Sequence, residues 1–170
     1  MKKKLIIGLI IIAIAIVVLV FPQKPRNIEP IQTQVTIGNL VYDIQLDKNQ
    51  FSRYEEISVH TKVTNIGNET YTYLSGSSSC PSHLSVEIVH EKSKKELSIK
   101  PGGDCTADLA TSKLIPNQTV EDTDTFIPKQ LEQYGLKRAK TGSYEVRVAL
   151  PRSNPTGERR ENAFAKIMMY

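Results

Sequence analysis

The 170-residue sequence holds no tryptophan, two cysteines and three histidines. Without Trp, a true antibody-type domain, built around a Trp packed on its intersheet disulfide, is excluded. His60, His83 and His90 stand neither two apart, as ligands on a strand would, nor four apart, as on a helix. No metal site and no cofactor are therefore expected. A Walker loop, a dinucleotide fingerprint and a paired-carboxylate motif are also missing. The serines from Ser75 to Ser79 stand near His83, but neither a G-x-S-x-G elbow nor an S-x-x-K motif surrounds them. No catalytic residue is expected, and the chain reads as a non-enzyme. Nine Gly and nine Pro, with 39% hydrophobic and 24% charged residues, exclude a collagen-like, coiled-coil or wholly disordered chain. A strong surplus of one charge is absent as well. Beyond residue 21 the chain carries 19 basic and 18 acidic side chains, which argues against a nucleic-acid partner.

What is present is concentrated first at the start of the chain. Leu5 to Phe21 (LIIGLIIIAIAIVVLVF) is a run of seventeen residues without a charged or polar side chain, preceded directly by Lys2, Lys3 and Lys4. As a helix it would span roughly 26 Å, close to the thickness of a hydrocarbon core. Residues 1–21 are thus expected to form a basic flank and one N-terminal transmembrane helix. A cleavable signal peptide begins in the same way, but the small residues that cleavage needs occur only at Ala13-Ile14-Ala15, inside the run. An uncleaved signal anchor is the expectation. The three lysines outweigh Lys24 and Arg26 on the far side, which puts the N-terminus in the cytoplasm and the remainder outside the cell membrane.

Pro22 to Gln34 carries three prolines and little apolar content, and reads as a stiff tether over residues 22–34. From Val35 the pattern turns to alternation, so residues 35–170 are expected to be one extracytoplasmic domain. Leu40, Tyr42, Ile44 and Leu46 share one face, and Ile57, Val59, Thr61 and Val63 repeat the pattern. Asn65 to Asn68 supplies turn residues before Thr70 to Leu74, suggesting a hairpin over residues 56–74. Further strands are expected at Leu84–Val89, Glu96–Ile99, Tyr144–Leu150 and Ala163–Tyr170. Val120 to Phe126 reads as an acidic strand, at an edge or facing solvent, because of Glu121, Asp122 and Asp124. One helix is expected at Pro128–Tyr134, where Ile127, Leu131 and Tyr134 recur at helical spacing between Pro128 and Gly135. Short strands at regular spacing make the fold class all-β, an immunoglobulin-like antiparallel β-sandwich, with a small barrel as the alternative.

Cys80 and Cys105 enclose twenty-four residues, and an even pair outside the membrane is expected to form a disulfide. The loops that this bridge would hold contain the candidate binding residues Ser77, Ser78, Ser79, His83, Asp104 and Asp108. Asp104, Asp108, Glu121, Asp122 and Asp124 offer oxygens, but the D-x-D-x-D-G pattern of a calcium loop is absent and a solvated negative face is the expectation. Lys137 to Tyr170, with eight basic and three acidic residues, could touch anionic headgroups or wall polymers.

Four pieces of the chain resemble a known family. They are Val63-Thr64-Asn65-Ile66-Gly67-Asn68-Glu69-Thr70-Tyr71, the Ser77-Ser78-Ser79 loop, Leu114-Ile115-Pro116-Asn117-Gln118 and Gly142-Ser143-Tyr144-Glu145-Val146. Together they resemble the intracellular proteinase inhibitor family of spore-forming bacteria, over about residues 40–150. The resemblance implies a small immunoglobulin-like β-sandwich and, as a second functional expectation, inhibition or regulation of a protease. The anchor and the cysteine pair depart from that family's plan, and no reactive-site residue carries over. The first expectation, from anchor, tether and the lack of catalytic motifs, is a membrane-held module that binds a protein or cell-envelope partner through its loops.

Overall fold

A computed structural model describes residues 28–170. The transmembrane helix expected over Leu5–Phe21 and the first part of the tether lie outside the described residues. Among the described residues no helix is long and apolar enough to cross a membrane.

The described chain is all-β, with twelve strands. In chain order they are β1 Ile31–Ile37, β2 Leu40–Leu46, β3 Gln50–Phe51, β4 Ile57–Asn65, β5 Tyr71–Leu74 and β6 Ser85–His90. There follow β7 Leu97–Ile99, β8 Thr111–Leu114, β9 Thr119–Glu132, β10 Gly135–Arg138, β11 Gly142–Ala149 and β12 Ala163–Met169. One sheet runs β1-β2-β4-β9-β10, with β7 also on β9; the second runs β3-β12-β11-β6; β5 and β8 form a separate pair. Alternation explains why these segments are strands that bury one face. Leu40, Tyr42, Ile44 and Leu46 of β2, Val59 and Val63 of β4, Tyr144, Val146 and Val148 of β11 and Ile167 and Met169 of β12 all enter one shared core. Two sheets contributing to one apolar layer make a β-sandwich-like arrangement. Inside it the Tyr42 hydroxyl is satisfied by the Leu150 amide, which donates to it at 3.2 Å.

Several local expectations change. β1 begins at Ile31, so the last four residues assigned to the tether are already paired with β2. Residues 56–74 do not form a hairpin, because β5 pairs with β8 and not with β4. The two edges of β4 are already taken by β2 and β9. Asn65 turns the chain away: its side chain accepts from the Gly67 amide at 3.0 Å and donates to the Glu69 and Leu114 carbonyls at 2.7 and 3.2 Å.

The helix expected at Pro128–Tyr134 is instead the end of β9 and a tight turn into β10. A two-turn helix cannot offset its nucleation cost alone, whereas strand pairing with β7 and β10 satisfies the same backbone groups. The register with β7 slips between Leu97 and Ser98, which face Gln130 and Ile127, and Pro128 falls in that irregularity where its missing N–H costs no ladder bond. Leu131 then faces Leu136 across the hairpin.

Candidate functional site

The sequence points to the cysteine loops, and the structure brings them together. Cys80 and Cys105 are bridged, with their Cα atoms 5.6 Å apart. Two irregular segments meet there, one after β5 and one before β8. The β5–β8 pairing is prolonged by the Ser75 amide donating to the Ala110 carbonyl at 3.0 Å and the Ala110 amide donating to Gly76 at 2.8 Å. Gly76 then turns the chain at φ +73°, a left-handed value that glycine adopts freely, and a Cβ there would stand 3.2 Å from the Cys80 carbonyl. A bridge between Gly76 and Pro81 closes the base of the loop.

Side chains fasten the tip. The Ser77 hydroxyl, buried, accepts from the Cys80 amide at 3.2 Å. The Ser79 hydroxyl accepts from the Thr106 amide at 2.8 Å and bonds the Thr106 hydroxyl at 3.1 Å. Asp108 accepts from the Ser78 amide at 3.1 Å and from the Thr106 hydroxyl. These bonds, the Thr106 hydroxyl first, favour the carboxylate and hold the Asp108 pKa below its usual range. Ser78, Ser79 and the whole of residues 101–109 remain exposed, Asp104 among them. Thr106 is a member of this cluster that spacing alone does not single out.

His83 belongs elsewhere. Its Nδ1 is 2.8 Å from the buried Tyr73 hydroxyl, and its amide, like that of Leu84, donates to Asp122 Oδ2 at 2.6 Å. It therefore orders the return of the chain to β6 and does not face the loop serines as a base would.

The acidic stretch is likewise divided by the fold. Asp122 and Asp124 face Thr61 and Val59 across the β4–β9 ladder, on the inward side, which corrects the expectation of an acidic strand with solvated carboxylates. Glu121 points outward and pairs with Lys62 at 3.2 Å. Burial pushes the Asp122 carboxyl up against the opposing effect of its two amide donors. Asp124 has a buried Oδ2 without a hydrogen-bond partner, and burial, helped by the Asp122 charge, raises its pKa to about 6. Among the described residues no group of three or more His, Cys, Asp or Glu is placed to hold a metal ion.

The chain matches no family model. It matches no curated protein either. Solved structures similar to it include a β-glucosidase from Erythrobacter marinus, at 11% identity and a TM-score of 0.46, with 77% of this chain and 15% of that one covered. A β-glucosidase from Listeria innocua, in complex with laminaribiose, is similar at 10% identity and a TM-score of 0.45, over 85% of this chain and 16% of that one. The chain thus spans about 15% of the length of these proteins. No functional residue passes from them to this chain.

Proposed function

We propose that the protein is a membrane-anchored, extracytoplasmic module of immunoglobulin-like plan that binds a protein or envelope partner through its disulfide-held loops, with no catalysis of its own. The observation that carries this reading is the stitching of Ser77–Cys80 to Cys105–Asp108 by one disulfide and a network of short-range hydrogen bonds, which leaves an exposed surface already ordered. A preordered loop on a rigid scaffold loses less entropy on docking than a free one. The apolar run Leu5–Phe21 and its lysine flank support the location.

The test places a photo-activated cross-linker at Ser79 or Thr106 in the cell, with Gln34 on the outer face of β1 as the control position. Adducts are expected from the loop positions and should vanish when the other residues of Ser77–Ser79 and Thr106–Asp108 are replaced by Gly or Ser while the cross-linker keeps its position. Equal adducts from Gln34, or adducts unaffected by the replacement, would refute the reading.

A second reading, surface inhibition of a protease, is favoured by the same closed Gly76–Pro81 loop, since an inhibitor needs a loop that resists cleavage. Titration of the oxidised protein against a panel of serine proteases separates the two. Stoichiometric inhibition with the loop intact selects the inhibitor, and full residual protease activity at micromolar excess selects the binding module.

A further inference from the structure

The β9–β10 hairpin has one packed face and one bare face. On the packed face Gln130 is buried and donates to the Lys95 carbonyl at 3.1 Å, while Glu132 holds Lys95 at 2.6 Å and Lys137 at 3.3 Å. Residues directly opposite in a ladder share a side, so Lys129, Leu131, Leu136 and Arg138 stand together on the other face. Leu131 is 72% exposed, Leu136 51% and Tyr134, in the turn, 84%. Arg138 lies over the exposed ring of Tyr54, with its guanidinium carbon 4.3 Å from the ring centre. The result is an apolar tip with aromatic rings and cations around it. Residues 127–140 carry Lys129, Lys137, Arg138 and Lys140 against the single acid Glu132, which two lysines already neutralise.

Strand register gives the direction of the tip. Gln32, Gln45, His60 and Thr123 form one row across the sheet. Each neighbouring pair is antiparallel, so β9 runs past that row towards the end at which β1 begins. Leu131, eight residues beyond Thr123, reaches at most about 26 Å past it at the usual strand rise. The nine residues Pro22–Pro30 that join Phe21 to β1 can span up to about 28 Å. The hairpin therefore extends beyond the end of the sheet at which β1 begins, by a length that nine extended residues can bridge.

We propose that the β9–β10 hairpin is a lipid-docking foot: Leu131, Tyr134 and Leu136 enter the interface of the anionic bilayer that holds the anchor, and Lys129, Arg138 and Lys140 lie on its phosphates. Leucine is favoured in the acyl boundary, tyrosine at headgroup depth and cations at an anionic surface. The proposal rests on the membrane-anchored reading above, and the experiment scores the two separately.

Because the chain has no tryptophan, Tyr134→Trp gives a single emitter at the tip. The full chain carrying it is reconstituted with vesicles of phosphatidylcholine alone or mixed with phosphatidylglycerol, some containing brominated lipid. Flotation after a high-salt wash reports the anchor. Trp emission and bromine quenching at low salt report the hairpin. The expected result is flotation with both vesicles, but a blue-shifted, quenched signal only with phosphatidylglycerol, reversed by salt. Adding Leu131→Asp and Leu136→Asp should abolish that signal without affecting flotation. Lys129→Gln should lower the ratio of docked to undocked tip roughly fivefold. A chain that floats while its tryptophan stays water-exposed on phosphatidylglycerol vesicles overturns the foot and leaves this face to a protein partner. A chain that fails to float overturns the anchor, and quenching at low salt then still decides for or against the hairpin.

Discussion

Replacing Asp124 by asparagine isolates the cost of a charge that the fold places inward without a partner. Asp124 faces Val59 across the ladder, its Oδ2 is buried and unpaired, and its pKa rises from an ordinary 3.8 to about 6. A folded-state pKa above the unfolded one means that the native chain holds this proton more tightly. The contribution is favourable at about pH 4 and is lost as pH rises through about 6. A displacement of two pH units corresponds to ~3 kcal/mol. Because the side chain is only half-buried, water screens part of this, leaving about 1–2 kcal/mol. Asp124→Asn keeps the shape and removes the charge. The variant is expected to be more stable than the parent by that amount at pH 7.5, a rise in Tm of about 3 °C per kcal/mol, with the difference disappearing near pH 4. Thermal melts of both proteins between pH 4 and 8 check this. Comparing the pair removes the common titration of Glu55, Glu91, Asp108 and Glu132, whose pKa values are lowered by their partners. A variant less stable than the parent at pH 7.5, or a difference independent of pH, would refute the reasoning.

Three further perturbations probe the frame. The double variant Cys80→Ser, Cys105→Ser opens a loop of 25 residues and is expected to cost up to about 3.5 kcal/mol by chain entropy, with new protease nicking between Lys100 and Ala110; melting and limited proteolysis read both effects. Gly142→Ala should lose about 1–3 kcal/mol, because φ is +133° and the new Cβ would stand 3.0 Å from Nε2 of the buried His90. Gly135→Ala, with φ +106° and no atom within 4 Å, should show the backbone strain alone, so urea denaturation of the pair separates strain from the His90 contact. Tyr42→Phe strands the Leu150 amide in the core and should cost about 1–3 kcal/mol in the same assay, whereas an unchanged midpoint would mean that the amide finds another acceptor.

The elements with period-two alternation were legible in the residues themselves. β2, β4, β11 and β12 bury the residues that alternation assigns to the core, because a pleated strand puts every second side chain on one face wherever its partners lie. The cysteine pair and its serine loop were legible for a similar reason, since spacing and parity are properties of the chain. The turn after Asn65 was legible, but the destination of the chain was not. Both edges of β4 are filled by strands far along the sequence, and only their arrival sends β5 to β8. At Pro128–Tyr134 the apolar spacing fitted a helix, and the edges offered by β7 and β10 outweighed it. The inward turn of Asp122 and Asp124 followed from the β4–β9 register, which a run of acidic residues does not reveal. Thr106 joined the loop cluster only when the disulfide placed it beside Ser79. Local pattern determines which face of a segment is apolar and where the chain can turn; which strand takes which edge, and so which polar groups meet, depends on pairings between distant segments that only the tertiary structure decides.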